Sequence, residues 1–74
     1  MVLDGTIYTY RMKKKISQQK FADLLDIPRT TMSFYENKRM YPSLVVAERM
    51  ADILDTTIGK LYDPSELDLI RNNK

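Results

Sequence analysis

The sequence predicts an all-α fold of five short helices with a C-terminal tail that can form a sixth. Three observations carry this. Apolar residues recur at helical spacing in successive runs, helix-starting residues stand just ahead of those runs, and no alternating run of β-forming residues appears. With 74 residues, no internal repeat and no low-complexity tract, the chain is one small domain over 1–62 and a tail over 63–74.

The first helix is expected from about Asp4 to Lys14, with Leu3, Ile7 and Tyr10 on one side. Ser17 is an N-cap residue type and opens the second helix, which turns Phe21, Ala22, Leu24 and Leu25 inward. Asp26 ends it, because aspartate tolerates the left-handed backbone that such corners use. Pro28 stands where the third helix begins, its fixed φ suited to a first turn. That helix runs to about Glu36, and a loop from Asn37 to Pro42 follows. Ser43 caps a fourth helix of roughly 12 residues ending near Leu54. Thr57 caps a short fifth, and Asp63-Pro64-Ser65-Glu66 is a further helix start. The segment after it is marginal alone and must fray, dock on the body, or order on a partner.

Composition removes several function classes. The chain has no cysteine and no histidine, hence no disulfide, no thiolate metal site and no histidine base. There is also no glycine-rich phosphate loop and no carboxylate pair in an evident cleft, so no enzyme, cofactor, metal or small-molecule ligand is expected. No apolar run approaches the ~20 residues of a membrane span, and the N-terminus lacks the charged-then-apolar order of a signal peptide. A cytoplasmic protein is the expectation.

Charge is unevenly placed. Between Arg11 and Arg39 eight basic residues face three acids, Asp23, Asp26 and Glu36, whereas from Met40 onward four basic residues face six acids. A basic half joined to a mildly acidic half suggests one surface for a polyanion and another for a different partner.

The third helix sharpens that suggestion. At ~100° per residue, Arg29, Ser33, Asn37, Thr30 and Phe34 share one side, opposite Met32 and Tyr35. One side anchors to a core, and the other bears a cation, hydrogen-bonding groups and a ring. Two short helices joined by Asp26-Ile27-Pro28 make a helix-turn-helix, a unit that can present its second helix to a DNA major groove.

The stretch SQQKFADLLDIPRTTMSFYENKRMYPSL resembles the signature of the Cro/phage-repressor-type (XRE) family. Ser17-Gln18, Ala22, Ile27, Ser33, Tyr35-Glu36-Asn37 and Pro42-Ser43-Leu44 carry the match, which continues through Ala51, Leu54, Ile58 and Leu61-Tyr62. The resemblance spans roughly Leu3 to Tyr62 and implies a compact five-helix lambda-repressor-like domain that binds double-stranded DNA. Asp26 and Lys38 stand where members have glycine, Pro28 where they have a serine or threonine cap, and Phe34 where a polar residue often reads a base.

On this reading Arg29 makes a bidentate contact to guanine, Thr30 and Ser33 bond base edges or phosphate, and Phe34 meets thymine methyls. The alternatives are an Arg29–Glu36 ion pair or a phosphate contact by Arg29, solvated hydroxyls, and packing of Phe34 beside Met32 and Tyr41. Gln18, Asn37, Lys38 and Arg39 are expected to hold the DNA backbone, while Lys13 to Lys15 is a solvated charge run. The resemblance implies a structural ion pair between Arg11 and Glu36. On the fourth helix Val46 and Ile53 widen the apolar arc, to receive Leu67 and Ile70 of the tail or to meet a second subunit. The expectation is a homodimeric transcriptional repressor on a near-palindromic operator, since one short helix reads few bases. The alternative is a protein-interaction module, such as an antitoxin or anti-repressor partner.

Overall fold

A computed structural model describes residues 5–72, which form six α-helices and, among the described residues, no strand. They are α1 (Thr6–Lys13), α2 (Gln18–Leu25), α3 (Arg29–Glu36), α4 (Leu44–Ile53), α5 (Ile58–Leu61) and α6 (Pro64–Asn72). The chain divides into two compact units, residues 1–40 and 41–74.

In the first unit α2 and α3 pack as the helix-turn-helix pair, and α1 packs on α3. Ser17 caps α2 by accepting a bond from the Lys20 N–H at 3.0 Å. Asp26 closes the helix at φ 59°, so its short side chain takes a left-handed corner that glycine usually fills. Lys38 does the same after α3, at φ 60°. Ile7, Phe21, Ala22, Leu25, Met32 and Tyr35 are the buried apolar residues of this unit.

Three expectations change here. Pro28 is the N-cap of α3, not its first helical residue: its ψ of 149° is extended, and it offers no side-chain cap. Leu24 is 43 % exposed, because α3 meets the arc of α2 centred on Phe21, Ala22 and Leu25. The first helix begins at Thr6 and ends one residue early, with Lys14 as its C-cap; Leu3 and Asp4 lie outside the described residues.

In the second unit α4, α5 and α6 pack on one another. Ser43 caps α4 through the Val46 N–H at 3.3 Å, and the helix spans ten residues with Leu54 as its C-cap. Thr57 precedes α5 in extended geometry but makes no side-chain cap bond. The tail helix is tied at its start by a reciprocal capping box. The Glu66 N–H donates to Asp63 Oδ1 and the Asp63 N–H donates to Glu66 Oε1, both at 2.9 Å. Tyr41 donates its hydroxyl to the other Glu66 oxygen at 2.9 Å, fixing the same residue from a second direction. Of the three fates open to the tail, the described part of it docks: Ile70 is fully buried, along with Ala47, Met50, Ala51, Leu54, Leu61 and Tyr62.

Candidate nucleic-acid interface

The outer side of α3 is built by what its inner side must do. Met32, Tyr35 and Glu36 recur at helical spacing and are buried, which turns the intervening residues outward. Arg29 and Thr30 are exposed, Ser33 is half-buried, and Phe34 is 42 % exposed. Phe34 therefore presents much of its ring to solvent rather than to the core. Burial raises the Tyr35 phenol above its ordinary value, as expected for an inward-facing ring.

Past α3, Asn37 and Lys38 are half-buried and Arg39 is exposed. The left-handed turn at Lys38 lets the Arg39 N–H donate to the Phe34 carbonyl at 2.9 Å, and the Lys38 N–H donates to the Tyr35 carbonyl at 3.2 Å. Those bonds use up carbonyls at the end of α3 and hold the basic residues just beyond it.

Behind this face lies an ion pair. The Arg11 guanidinium grips both Glu36 oxygens, Nε to Oε2 at 2.6 Å and Nη2 to Oε1 at 3.3 Å. Both side chains are almost wholly buried, at 7 % and 6 % exposure. Burying two charges costs desolvation that a bare contact seldom offsets; fork geometry and additional bonds are needed. Both are present. Arg11 Nη1 also donates to the Ile16 carbonyl at 2.9 Å, tying α1 to the corner before α2. Glu36 Oε1 also accepts from Gln18 Nε2 at 3.1 Å. The pair thus joins α1, α2 and α3 at one point.

Gln18 extends the network outward, since its Oε1 accepts from Arg29 Nη1 at 3.1 Å. From the sequence, Gln18 is expected against DNA and Glu36 is an alternative partner for Arg29. In the structure the group between them is Gln18 itself. The contacts span 11 and 18 positions on different helices, beyond the reach of any periodicity argument.

Among the lysines before α2, Lys13 to Lys15 are exposed, and Lys13 Nζ lies 5.1 Å from the Tyr10 ring centroid. Lys15 turns a left-handed corner at φ 58°.

The proposed dimer residues belong to the second unit. Val46, Ile53 and Leu67 are half-buried, but Ile70 is fully buried inside its own chain and has no surface to offer. The exposed apolar side chains of that unit are Val45, at 67 %, and Leu69, at 55 %. A shallow cleft of about 320 Å³ is lined by Glu48, Ala51, Asp52, Thr56, Thr57 and Ile58, and its two carboxylates would repel a phosphate. Among the described residues no group of histidine, cysteine and acidic side chains could hold a metal, and no helix is long and apolar enough to cross a membrane.

The helix-turn-helix family model matches residues 7–61, which takes in α1 through α5. Among curated proteins the chain is similar to the HTH-type transcriptional regulator AnsR of Bacillus subtilis (strain 168). The two are 43 % identical over 51 residues, which cover 69 % of this chain and 44 % of that protein. The chain thus spans less than half the length of this relative. No solved structure matches it significantly. With the matched region covering most of the chain, and a helix pair whose second member turns a cationic, polar side outward, this protein belongs to the Cro/phage-repressor-type (XRE) family of helix-turn-helix DNA-binding domains.

Proposed function

We propose that this chain is a sequence-specific DNA-binding transcriptional regulator that represses by occupying its operator. The observation that carries the reading is the division of α3, with Met32, Tyr35 and Glu36 buried and Arg29, Thr30 and Phe34 exposed. A helix presented this way fits the major groove, where arginine pairs with guanine and apolar side chains meet thymine methyls. In this role Arg29, Thr30, Ser33 and Phe34 contact bases. Gln18, Asn37, Lys38 and Arg39 contact the backbone, and the basic first unit supplies the salt-sensitive share of affinity. The relative of similar sequence, a transcriptional regulator by name, supports the same reading.

The regulator acts in the cytoplasm as a homodimer on a near-palindromic site, because two copies of α3 one DNA turn apart read enough bases to be selective. The second unit supplies the contact between copies, through the exposed apolar residues Val45 and Leu69 together with the half-buried Val46, Ile53 and Leu67.

Selection from a random duplex library at near-physiological salt tests the proposal. The expected result is a two-fold-related motif with half-sites about one helical turn apart. Enrichment of single half-sites would remove the dimer and keep the reader. Weak, salt-driven binding without enrichment would remove the reader too, and would favour a role in binding another protein.

A further inference from the structure

One side chain on the outer side of α3 has no hydrogen-bonding group. Phe34 shares that side with Arg29, Thr30 and Ser33, and 42 % of it meets solvent. The backbone around it is fixed, since its carbonyl accepts from the Arg39 N–H at 2.9 Å and from the Met40 N–H at 3.4 Å. Met40 is itself 45 % exposed, so this end of α3 carries two apolar side chains open to solvent beside the cation Arg39. A polar residue that reads a base edge often stands at the place of Phe34 in the family. In this chain hydrogen bonding is given up there.

The loss narrows what the position can recognise. In the major groove the four bases differ by donors, acceptors and one apolar group, the C5-methyl of thymine. A ring without donor or acceptor distinguishes only that last group. Thymine carries an acceptor at its 4-position and cytosine carries an amino donor, a difference to which the ring is blind. Cytosine methylated at C5 therefore looks like thymine to it.

We propose that Phe34 makes this protein responsive to cytosine methylation: its ring takes a pyrimidine C5-methyl group, so that 5-methylcytosine serves in place of thymine whereas cytosine and uracil do not. The inference rests on the reading of α3 as the base-contacting helix, and adds a modified base to its ligands. Phe34 follows Arg29 by five residues, about 7.5 Å along the helix axis, or roughly two base steps. The methyl contact and the guanine contact thus fall on different base pairs and can be varied separately.

The test uses the duplex selected from the random library, with modified pyrimidines placed at single positions. At one position of each half-site, thymine should bind more tightly than deoxyuridine by about 3- to 5-fold, the scale of one buried methyl group. With a C·G pair at that position, 5-methylcytosine should exceed cytosine by the same factor. Phe34→Ala should bring both ratios to about one, whereas Phe34→Leu, still apolar, should keep part of each. Each ratio is measured on a single protein preparation, so a smaller folded fraction in a variant cancels out.

A thymine-to-deoxyuridine ratio of one at every position would overturn the inference, as would ratios that persist in Phe34→Ala. If Arg29→Ala still relaxes preference at its own base pair in that case, the reading of α3 stands and only the methyl contact falls. A library that yields no enriched duplex would remove both.

Discussion

The two units of this chain are held together by different means. The first carries eight basic residues against four acids, and joins its three helices at a buried ion pair with attached hydrogen bonds. The second carries four basic residues against six acids, and its buried residues are apolar except at Tyr62. One cluster of polar ties in it sits at a helix start, where Asp63, Glu66 and Tyr41 meet. Apolar packing is non-directional and forgives small changes of shape, whereas a forked ion pair tolerates few geometries. The unit that must present side chains to a polyanion uses the more demanding device, at an energetic cost that apolar contacts would not incur.

The comparison breaks most sharply at Glu36. Glu36→Ala leaves the Arg11 charge buried without its carboxylate, and should cost about 3–5 kcal/mol in chemical denaturation. That is a large part of the stability of a domain this small. A loss below about 1 kcal/mol would mean that water reaches Arg11 and that the pair is not a structural constraint.

Next in size is Ile70, the fully buried anchor of α6. Ile70→Ala should cost about 2–4 kcal/mol by lost transfer and cavity formation. The loss should be local: amide exchange should accelerate in α6 before the α2–α3 pair responds. Uniform acceleration throughout the chain would show that the two units unfold as one.

Binding separates two cations that look alike in sequence. Arg29→Ala should cost about 1–3 kcal/mol on the selected duplex and relax preference at one base pair. Arg39→Ala should weaken all duplexes alike and reduce the salt slope by about one. Identical behaviour of the two variants would contradict their separate roles.

Lys38 sets stability against binding. A lysine at φ 60° is strained by about 1–2 kcal/mol, part of which glycine returns as unfolded-state entropy. Lys38→Gly relieves that strain but removes a positive charge beside α3, so it should keep the helical signal in circular dichroism while binding all duplexes more weakly. Unchanged binding would mean that the Lys38 charge does not face the DNA backbone.

The smallest expected effect is on pH dependence. Burial raises the Tyr35 phenol above 10.0, so the folded chain releases this proton later than the unfolded chain. Its contribution is intact below pH 10 and declines as the pH climbs through the raised value. Tyr35→Phe should flatten that decline in melts taken from about pH 9 to about pH 11. An unchanged slope would assign the decline to other groups.

Much of the fold was legible from local chemistry. Ser17 and Ser43 cap where their residue type suggested, Asp26 takes the left-handed corner, and Asp63-Pro64-Ser65-Glu66 starts a helix. Each of these depends on a few neighbouring residues, so sequence suffices. The division of α3 was legible for the same reason, because rotation per residue is a property of the helix itself. Leu24 and Ile70 were harder. Both are apolar and fall on plausible inward arcs, but the position of the packing helix left one exposed and buried the other.

The amino-acid order by itself determined that this protein is helical, that Ser17, Ser43 and Asp63 stand just before helices, which side of α3 is polar, and that basic residues concentrate before residue 40. Tertiary structure alone decided that Gln18 stands between Glu36 and Arg29, and that Ile70 belongs to the core rather than to a partner. Propensity and capping act over a turn of chain, whereas the Gln18 contacts join residues 11 and 18 positions apart, whose meeting depends on how whole helices cross.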